Sequence, residues 1–376
     1  MAQTQTQMQQ HIKLFQSSIR SPRTKKLYMS LLQKYIDFVN GNGIGNNNKK
    51  KNKDLFFGND PRQVERWIID FIIKMKEEEK MSYAAIHNYV APIIAFYKIN
   101  DFVLNTRKIN KFMPEQNRVN KDRPYTPEEI SKLLEVADER MRALILLLVS
   151  SGMRIGPVPD LKLKHLERLD YSDSVYKVTI YENTKNEHFS FTTPEATKAI
   201  DSYLQMRESY GEKLTRESYL IRESFDIRDP LKAKNPRAAS LDGLHWKLAA
   251  MARRCHIRKV EHQIEGIKIA SMRKEVAIFH GFRKFFASQC DKSKVDWQIR
   301  ERLLNHDFGL TLVYVKKSVE EMYSEYEKAI DNLTIDPTQR LQKEVQMLKA
   351  DKSKSDLALS LVQQLETRLN QLQSSK

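Results

Sequence analysis

The sequence predicts a mainly α-helical protein with one small β-sheet, an α+β chain built as two domains. Apolar residues recur three and four apart through most of the chain, the period of helices buried on one face. One stretch, 175–192, alternates with period two instead, reading VYKVTIYE, NTKN, EHFSFT as a β-hairpin does. A chain of 376 residues with 40% hydrophobic side chains suits two cores.

Residues 1–20 are polar and glutamine-rich and are expected to be disordered or weakly helical. Ser21–Pro22 starts a helix whose stripe is Leu27, Leu31, Leu32, Tyr35, Ile36 and Val39. GNGIGNNNKKKNK, 41–53, is a loop; its lysines either touch phosphate or are simply solvated. Asp60–Pro61 opens a second helix, with Trp67, Ile68, Phe71, Ile72 and Met75 inward. Ser82 opens a third, carrying Ile86, Tyr89, Val90, Ile93, Ile94 and Tyr97. The stretch 105–124, NTRKINKFMPEQNRVNKDRP, is basic and nearly free of apolar periodicity, and 116–125 is assigned as the linker.

Thr126-Pro127-Glu128-Glu129 reads as a helix start with a capping box. A following helix bears Leu144, Leu147 and Leu148 and ends at Gly152. Beyond the hairpin, Thr193–Pro194 starts another helix, and 222–240 reads as a polar surface loop. Leu241, Leu244, Leu248 and Met251 mark a helix, and 258–276 is basic and irregular. Ser318 caps a helix with Glu321 at the box position; Met322, Tyr326, Ala329 and Ile330 form its inner face. In the tail, 336–376, Leu341, Val345 and Leu348 are separated by DKSKSD from Leu361, Leu365, Leu369 and Leu372. That broken heptad suits either oligomerisation or docking back on its own domain.

Charge narrows the function. The formal net charge is +16, which points to a polyanion, most commonly nucleic acid; the plain alternative is a basic protein with no such partner. Two cysteines, Cys255 and Cys290, exclude a disulfide framework and a cysteine-rich zinc site. No apolar run reaches the roughly 20 residues of a membrane span, and the N-terminus lacks the apolar core of a signal peptide. The expectation is a cytoplasmic protein with no membrane partner.

The chemistry concentrates in 280–314, where HGFRKFFASQC leads through an amphipathic segment to LLNHDFGLTLVYVKK. His280 and Arg283 lie three apart, so one helical turn aims them alike. His306 follows the apolar run Trp297, Ile299, Leu303, Leu304; Asp307 and Gly309 then break the helix. Tyr314 stands eight residues after His306. Upstream, Arg154 follows the glycine that ends a buried helix, in SSGMRIGPVPDLKLKHL. There it is either a fixed functional cation or a charge complementing the helix dipole. Lys185 sits at the hairpin tip, where a lysine is otherwise only solvated.

These motifs, in this order, resemble the tyrosine recombinases, the phage integrases and Xer-type resolvases. The resemblance covers about 122–335 and, more loosely, 20–115. It implies a C-shaped clamp around DNA. Its parts are a polar tail (1–20), a helical, SAM-like core-binding domain (21–115), a basic linker (116–125), a catalytic domain (126–335) and a C-terminal helical tail (336–376). It implies Tyr314 as nucleophile, Arg154 and Arg283 on the phosphate, and His306 donating to a nonbridging oxygen. His280 would assist proton transfer at the tyrosine, and Lys185 would be the acid to the 5′-oxygen. Cleavage gives a 3′-phosphotyrosine and keeps the bond energy, with no cofactor, metal or ATP. The implied partners are double-stranded DNA at specific sites and a homo-tetramer passing through a Holliday junction. The eight-residue spacing, HDFGLTLVY and EYEKAIDNLTI look closest to the archaeal branch, and the whole to a mobile-element integrase, nucleoid-associated. Pro157 stands where many relatives carry an acidic residue, with Asp160 three residues on. The rival readings are a type IB topoisomerase-like relaxing enzyme and a non-catalytic DNA-binding protein on the same scaffold.

Overall fold

The structure, a computed structural model, describes residues 2–41, 60–116, 122–169, 172–226, 228–257, 275–306 and 317–338, with 341–342, 345, 364–371 and 373 of the tail. The chain divides into two units, Met1–Asn120 with Glu265–Met272, and Lys121–Ile264 with Arg273–Lys376. The 41–53 loop beyond Gly41, nearly all of 258–276, Tyr314, and Leu348, Leu361 and Leu372 of the tail's heptad lie outside the described residues.

The first unit is helical. Its elements are α1 (Ala2–Ser18), α2 (Pro22–Gly41), α3 (Pro61–Glu77), α4 (Tyr83–Ile99) and the short α5 (Thr106–Asn110). Asp60 and Ser82 cap α3 and α4 by accepting from Arg62 and Ala85 backbone N–H groups, and Pro61 occupies the first position of α3. The core stacks aromatic rings edge to face, with Tyr35 against Phe71 at 5.4 Å and Phe96 against Tyr97 at 5.5 Å.

Two stretches differ from expectation. The glutamine-rich start is helix α1, fastened by Phe15, which is buried and meets Phe96 at 5.4 Å. His11 Nδ1 also lies 2.6 Å from Asn100 Oδ1. Ile12, Phe15 and Ile19 have the helical spacing, diluted by glutamines. Within 105–124, α5 buries Ile109, and Glu65 accepts from the Asn105 backbone at 2.8 Å and from Lys108 Nζ at 3.0 Å.

The second unit is built on α7 (Glu139–Ser151), which follows α6 (Pro127–Glu135). Every residue from Ala143 to Ser151 is buried, as in a helix covered all round. The capping box forms: Glu129 N–H donates to Thr126 Oγ1, and Thr126 N–H to the Glu129 carboxylate. Strands β1 (Leu166–Leu169), β2 (Ser172–Ile180) and β3 (His188–Phe191) make an antiparallel sheet in that order. The pairing of Ile180 with His188 fixes the hairpin register, while β1 was not anticipated. Helices α8 (Pro194–Ser209), α9 (Pro230–Lys234), α10 (Leu241–Arg254), α11 (His280–Lys292), α12 (Trp297–Leu303), α13 (Val319–Glu327) and α14 (Ile330–Leu333) complete it. α8 and α11 pack on α7.

The 222–240 stretch is not simply a surface loop. Arg222 is buried; its Nη1 donates to Glu212 Oε2 at 2.7 Å and to the Ala233 carbonyl at 2.7 Å. Arg207, also buried, donates to the same carboxylate from Nε at 3.0 Å. Two arginines on one carboxylate pin this segment to α8, a pairing that burial permits only because each charge is hydrogen-bonded.

Candidate active site

The site grows from two helix ends. α7 stops at Gly152, which is left-handed (φ 62°) and donates its N–H to the Leu148 carbonyl at 3.1 Å. Glycine is required there twice over. An L residue would be strained, and a Cβ would come within 2.6 Å of Phe286 Cγ and 3.0 Å of Leu304 Cδ2. Arg154 follows two residues later and is exposed.

α12 ends in a Schellman motif. His306 N–H donates to the Glu301 carbonyl at 3.0 Å and Asn305 N–H to that of Arg302 at 2.9 Å, with Asn305 left-handed at φ 50°. His306 is thereby set directly after the turn that ends the helix.

Arg283 joins these ends. It lies one turn after His280 on α11 and is 4% exposed. Its Nη1 donates to the Gly152 carbonyl at 2.8 Å and its Nη2 to the Leu304 carbonyl. Both carbonyls belong to helix C-termini, whose partial negative charge favours a cation. Burial, and then the nearby positive charge of Arg154, push the Arg283 pKa down to about 10, so it stays charged at neutral pH.

His280 opens α11. Burial lowers its pKa, and Lys284, Arg283 and Arg154 lower it further against the opposing pull of Asp122. The ring is therefore neutral near pH 7 and able to accept a proton. Lys284 ties α11 to the chain before α6, with Nζ 3.0 Å from Asp122 Oδ2. Tyr125 stacks on Phe282 at 4.5 Å.

His306 is exposed, with Nδ1 hydrogen-bonded to Glu301 Oε2. Burial works to raise the Glu301 pKa, but hydrogen bonds from His306 and Arg300 hold it below the ordinary carboxyl value. The Glu301 carboxylate orients the imidazole through Nδ1.

Lys185 is exposed in the loop between β2 and β3. That loop bonds to itself: Thr184 N–H reaches the Tyr181 carbonyl at 3.0 Å and Glu187 N–H that of Thr184 at 3.0 Å. Asn305 Nδ2 donates to the Asn186 carbonyl at 3.0 Å, which links the loop to the turn that carries His306.

Arg154, Arg283 and His280 thus share one electropositive region, with His306 and the hairpin tip joined to it through Leu304 and Asn305. Tyr314 is outside the described residues. Two other tyrosines of that region are ill suited to attack. Tyr326 is fully buried and its hydroxyl donates to the Ser150 carbonyl at 3.0 Å; Tyr323 is buried against Phe191, 5.4 Å between rings.

Three residues here escaped the sequence reading. Glu301 sits on the inward stripe of α12, where an acid among apolar positions was the available signal. Asn305 reads only as a turn residue. His188, at the start of β3, also feels Arg283 and Arg154: burial above all, then these charges, lower its pKa. Its Nδ1 is 2.8 Å from the Asn186 carbonyl.

A family model described as the phage integrase family matches residues 124–321. No curated protein matches the chain. The XerH site-specific recombinase bound to a palindromic difH substrate, a post-cleavage complex, is 14% identical, with a TM-score of 0.53 over 80% of this chain and 78% of that one. The Tn1549 transposon integrase in complex with transposon right end DNA is 14% identical, with a TM-score of 0.52 over 85% of this chain and 98% of that one. A lambda integrase tetramer bound to a Holliday junction is 14% identical, with a TM-score of 0.50 over 82% and 76%. At these identities the likeness is one of fold.

Proposed function

The chain belongs to the phage integrase family of DNA breaking-rejoining enzymes, and we propose that it is a site-specific tyrosine recombinase serving a mobile genetic element. The observation that carries the reading is the arrangement around Arg283. One guanidinium bonds the carbonyl two residues before Arg154 and the carbonyl two residues before His306. Two fork-shaped cations and an imidazole donor then converge, as a phosphorane with charged nonbridging oxygens requires.

In this reading Tyr314 Oη attacks the scissile phosphorus as the P–O5′ bond breaks. The phenolic proton passes to neutral His280. Lys185 gives a proton to O5′, so that a 5′-hydroxyl leaves and a 3′-phosphotyrosine remains. The phosphotyrosyl bond conserves the energy, and the reverse steps join a new 5′-hydroxyl. Residues 126–335 are the catalytic domain, and 21–115 the core-binding domain. Four copies acting on two sites through a Holliday junction suit the family, as does work on nucleoid DNA in the cytoplasm. The eight residues from His306 to Tyr314 favour an archaeal-like branch.

The test is to incubate the protein with DNA flanking its own reading frame and trap covalent adducts. The modified peptide should contain Tyr314, and Tyr314→Phe should lose the adduct while Kd for DNA changes less than about threefold, because phosphate contacts dominate binding. Tyr326→Phe should keep the adduct. Adducts persisting in Tyr314→Phe would refute the assignment. Relaxation of any supercoiled plasmid, with no strand exchange between sites, would favour the topoisomerase-like reading instead.

A further inference from the structure

The left-handed turn at the end of α12 is occupied by Asn305, although glycine enters that conformation most freely. Asparagine tolerates it and adds an amide. That amide donates to the Asn186 carbonyl at 3.0 Å, and His188 Nδ1 lies 2.8 Å from the same oxygen. Two donors from different elements therefore meet on one carbonyl, and Asn186 is the residue next to Lys185.

The loop around them needs such an attachment. Thr184 and Glu187 N–H groups donate to the Tyr181 and Thr184 carbonyls and Asn183 N–H to the Glu187 carboxylate, all within the loop, and two of its residues, Tyr181 and Asn183, are left-handed at φ 59° and 60°. It has the internal order to act as a rigid tip, and the tip moves as one piece unless it is held from outside. On one side Glu182 meets Lys164 Nζ at 3.0 Å. On the site side the hold is Asn305. The two adjacent residues of the α12 turn then have linked duties: His306 carries the ring, and Asn305 fixes the distance from that ring to the hairpin tip.

We infer that Asn305 is a positioning residue, a latch that docks the hairpin tip carrying Lys185 onto the turn carrying His306 before DNA arrives. Its consequence for catalysis rests on the reading of Lys185 as the acid to O5′. A lysine on a free tip would spread over many positions, and a shift of about 1 Å costs up to roughly 100-fold in rate.

The variant that isolates the latch is Asn305→Gly, which keeps the turn's backbone and removes the amide. Two measurements on the full chain separate the latch from the lysine's role. In hydrogen exchange, Asn305→Gly should raise the exchange of amides 183–187 about tenfold or more, with the Tm within about 2 °C of wild type. Unchanged exchange in the tip would overturn the latch. Single-turnover cleavage is then compared on an ordinary strand and on one with a 5′-bridging sulfur, whose thiolate leaves without a proton. Asn305→Gly should be about 10- to 100-fold slow on the oxygen strand and near wild type on the sulfur strand, a milder copy of Lys185→Ala. Equal slowing on both strands would overturn the link to Lys185. Should Lys185→Ala itself show no rescue by sulfur while the tip of Asn305→Gly exchanges faster, the acid assignment falls and the latch stands.

Discussion

Arg283 commits two N–H donors to the carbonyls of Gly152 and Leu304 in a buried setting, whereas Arg154 is exposed two residues past a helix end. The same substitution should therefore act differently on each. Arg283→Lys loses the planar fork that spans the two carbonyls, so unfolding should become easier by about 1–3 kcal/mol, the cost of an unsatisfied buried acceptor. Arg154→Lys should leave stability within about 0.5 kcal/mol. Both should raise the cleavage barrier by about 2–4 kcal/mol, as a lost oxyanion donor does. Urea melts beside single-turnover rates separate the effects, and equal stability loss in the two variants would contradict the distinction. The histidines give a second prediction. His188 and His280 both have folded pKa values below the ordinary 6.5. As pH falls through that value the unfolded chain takes up protons that the folded chain refuses, so stability drops from about pH 6.5 downward. His188→Gln cannot titrate, and the fall in urea midpoint between pH 7.5 and 5.5 should be smaller than in wild type. An equal fall would show that His188 ionises alike in both states.

At the scale of elements, the Gly152 turn is one of the features that were legible in the sequence. A glycine C-cap after a buried helix, a capping box at Thr126 and a period-two hairpin are each local signals, and each stands in the structure as read. What stayed hidden is non-local. Arg283 reaches residues 131 and 21 positions away, and Asn305 reaches one 119 positions away, so no window along the chain displays those pairings. Helix α1 was concealed for another reason: its glutamines lower the average hydropathy around the few residues, Ile12 and Phe15 among them, that pack it on the core. Gly152 also yields a stringent test. Gly152→Ala adds about 1–2 kcal/mol for a left-handed L residue and about 1–3 kcal/mol for overpacking against Phe286 and Leu304. Thermal unfolding should register their sum, and the carbonyl that holds Arg283 should shift with it, slowing cleavage. A variant as stable as wild type would mean that the turn relaxes around the methyl.

At the scale of the whole molecule, charge and chemistry make separable demands. A net charge of +16 predicts DNA binding that weakens steeply with salt whatever the sequence of the DNA, because each neutralised phosphate releases counterions. It says nothing about how the bond is broken. The proposed cleavage draws its nucleophile from Tyr314, its phosphate clamp from Arg154 and Arg283, and its proton transfers from His280, His306 and Lys185. In that scheme the charge that a bound Mg²⁺ would neutralise on the phosphorane is met by two guanidinium groups and an imidazole. Removing divalent ions with EDTA at fixed ionic strength should then leave the single-turnover rate of adduct formation within about twofold, by the same reasoning. DNA affinity should hold or rise slightly, since Mg²⁺ competes with basic side chains for phosphate. Measuring binding and adduct formation in the same titration distinguishes loss of DNA from loss of chemistry. A rate that collapses in EDTA while the DNA stays bound, and returns with Mg²⁺ alone, would refute cleavage by side chains and require a metal in the reaction itself.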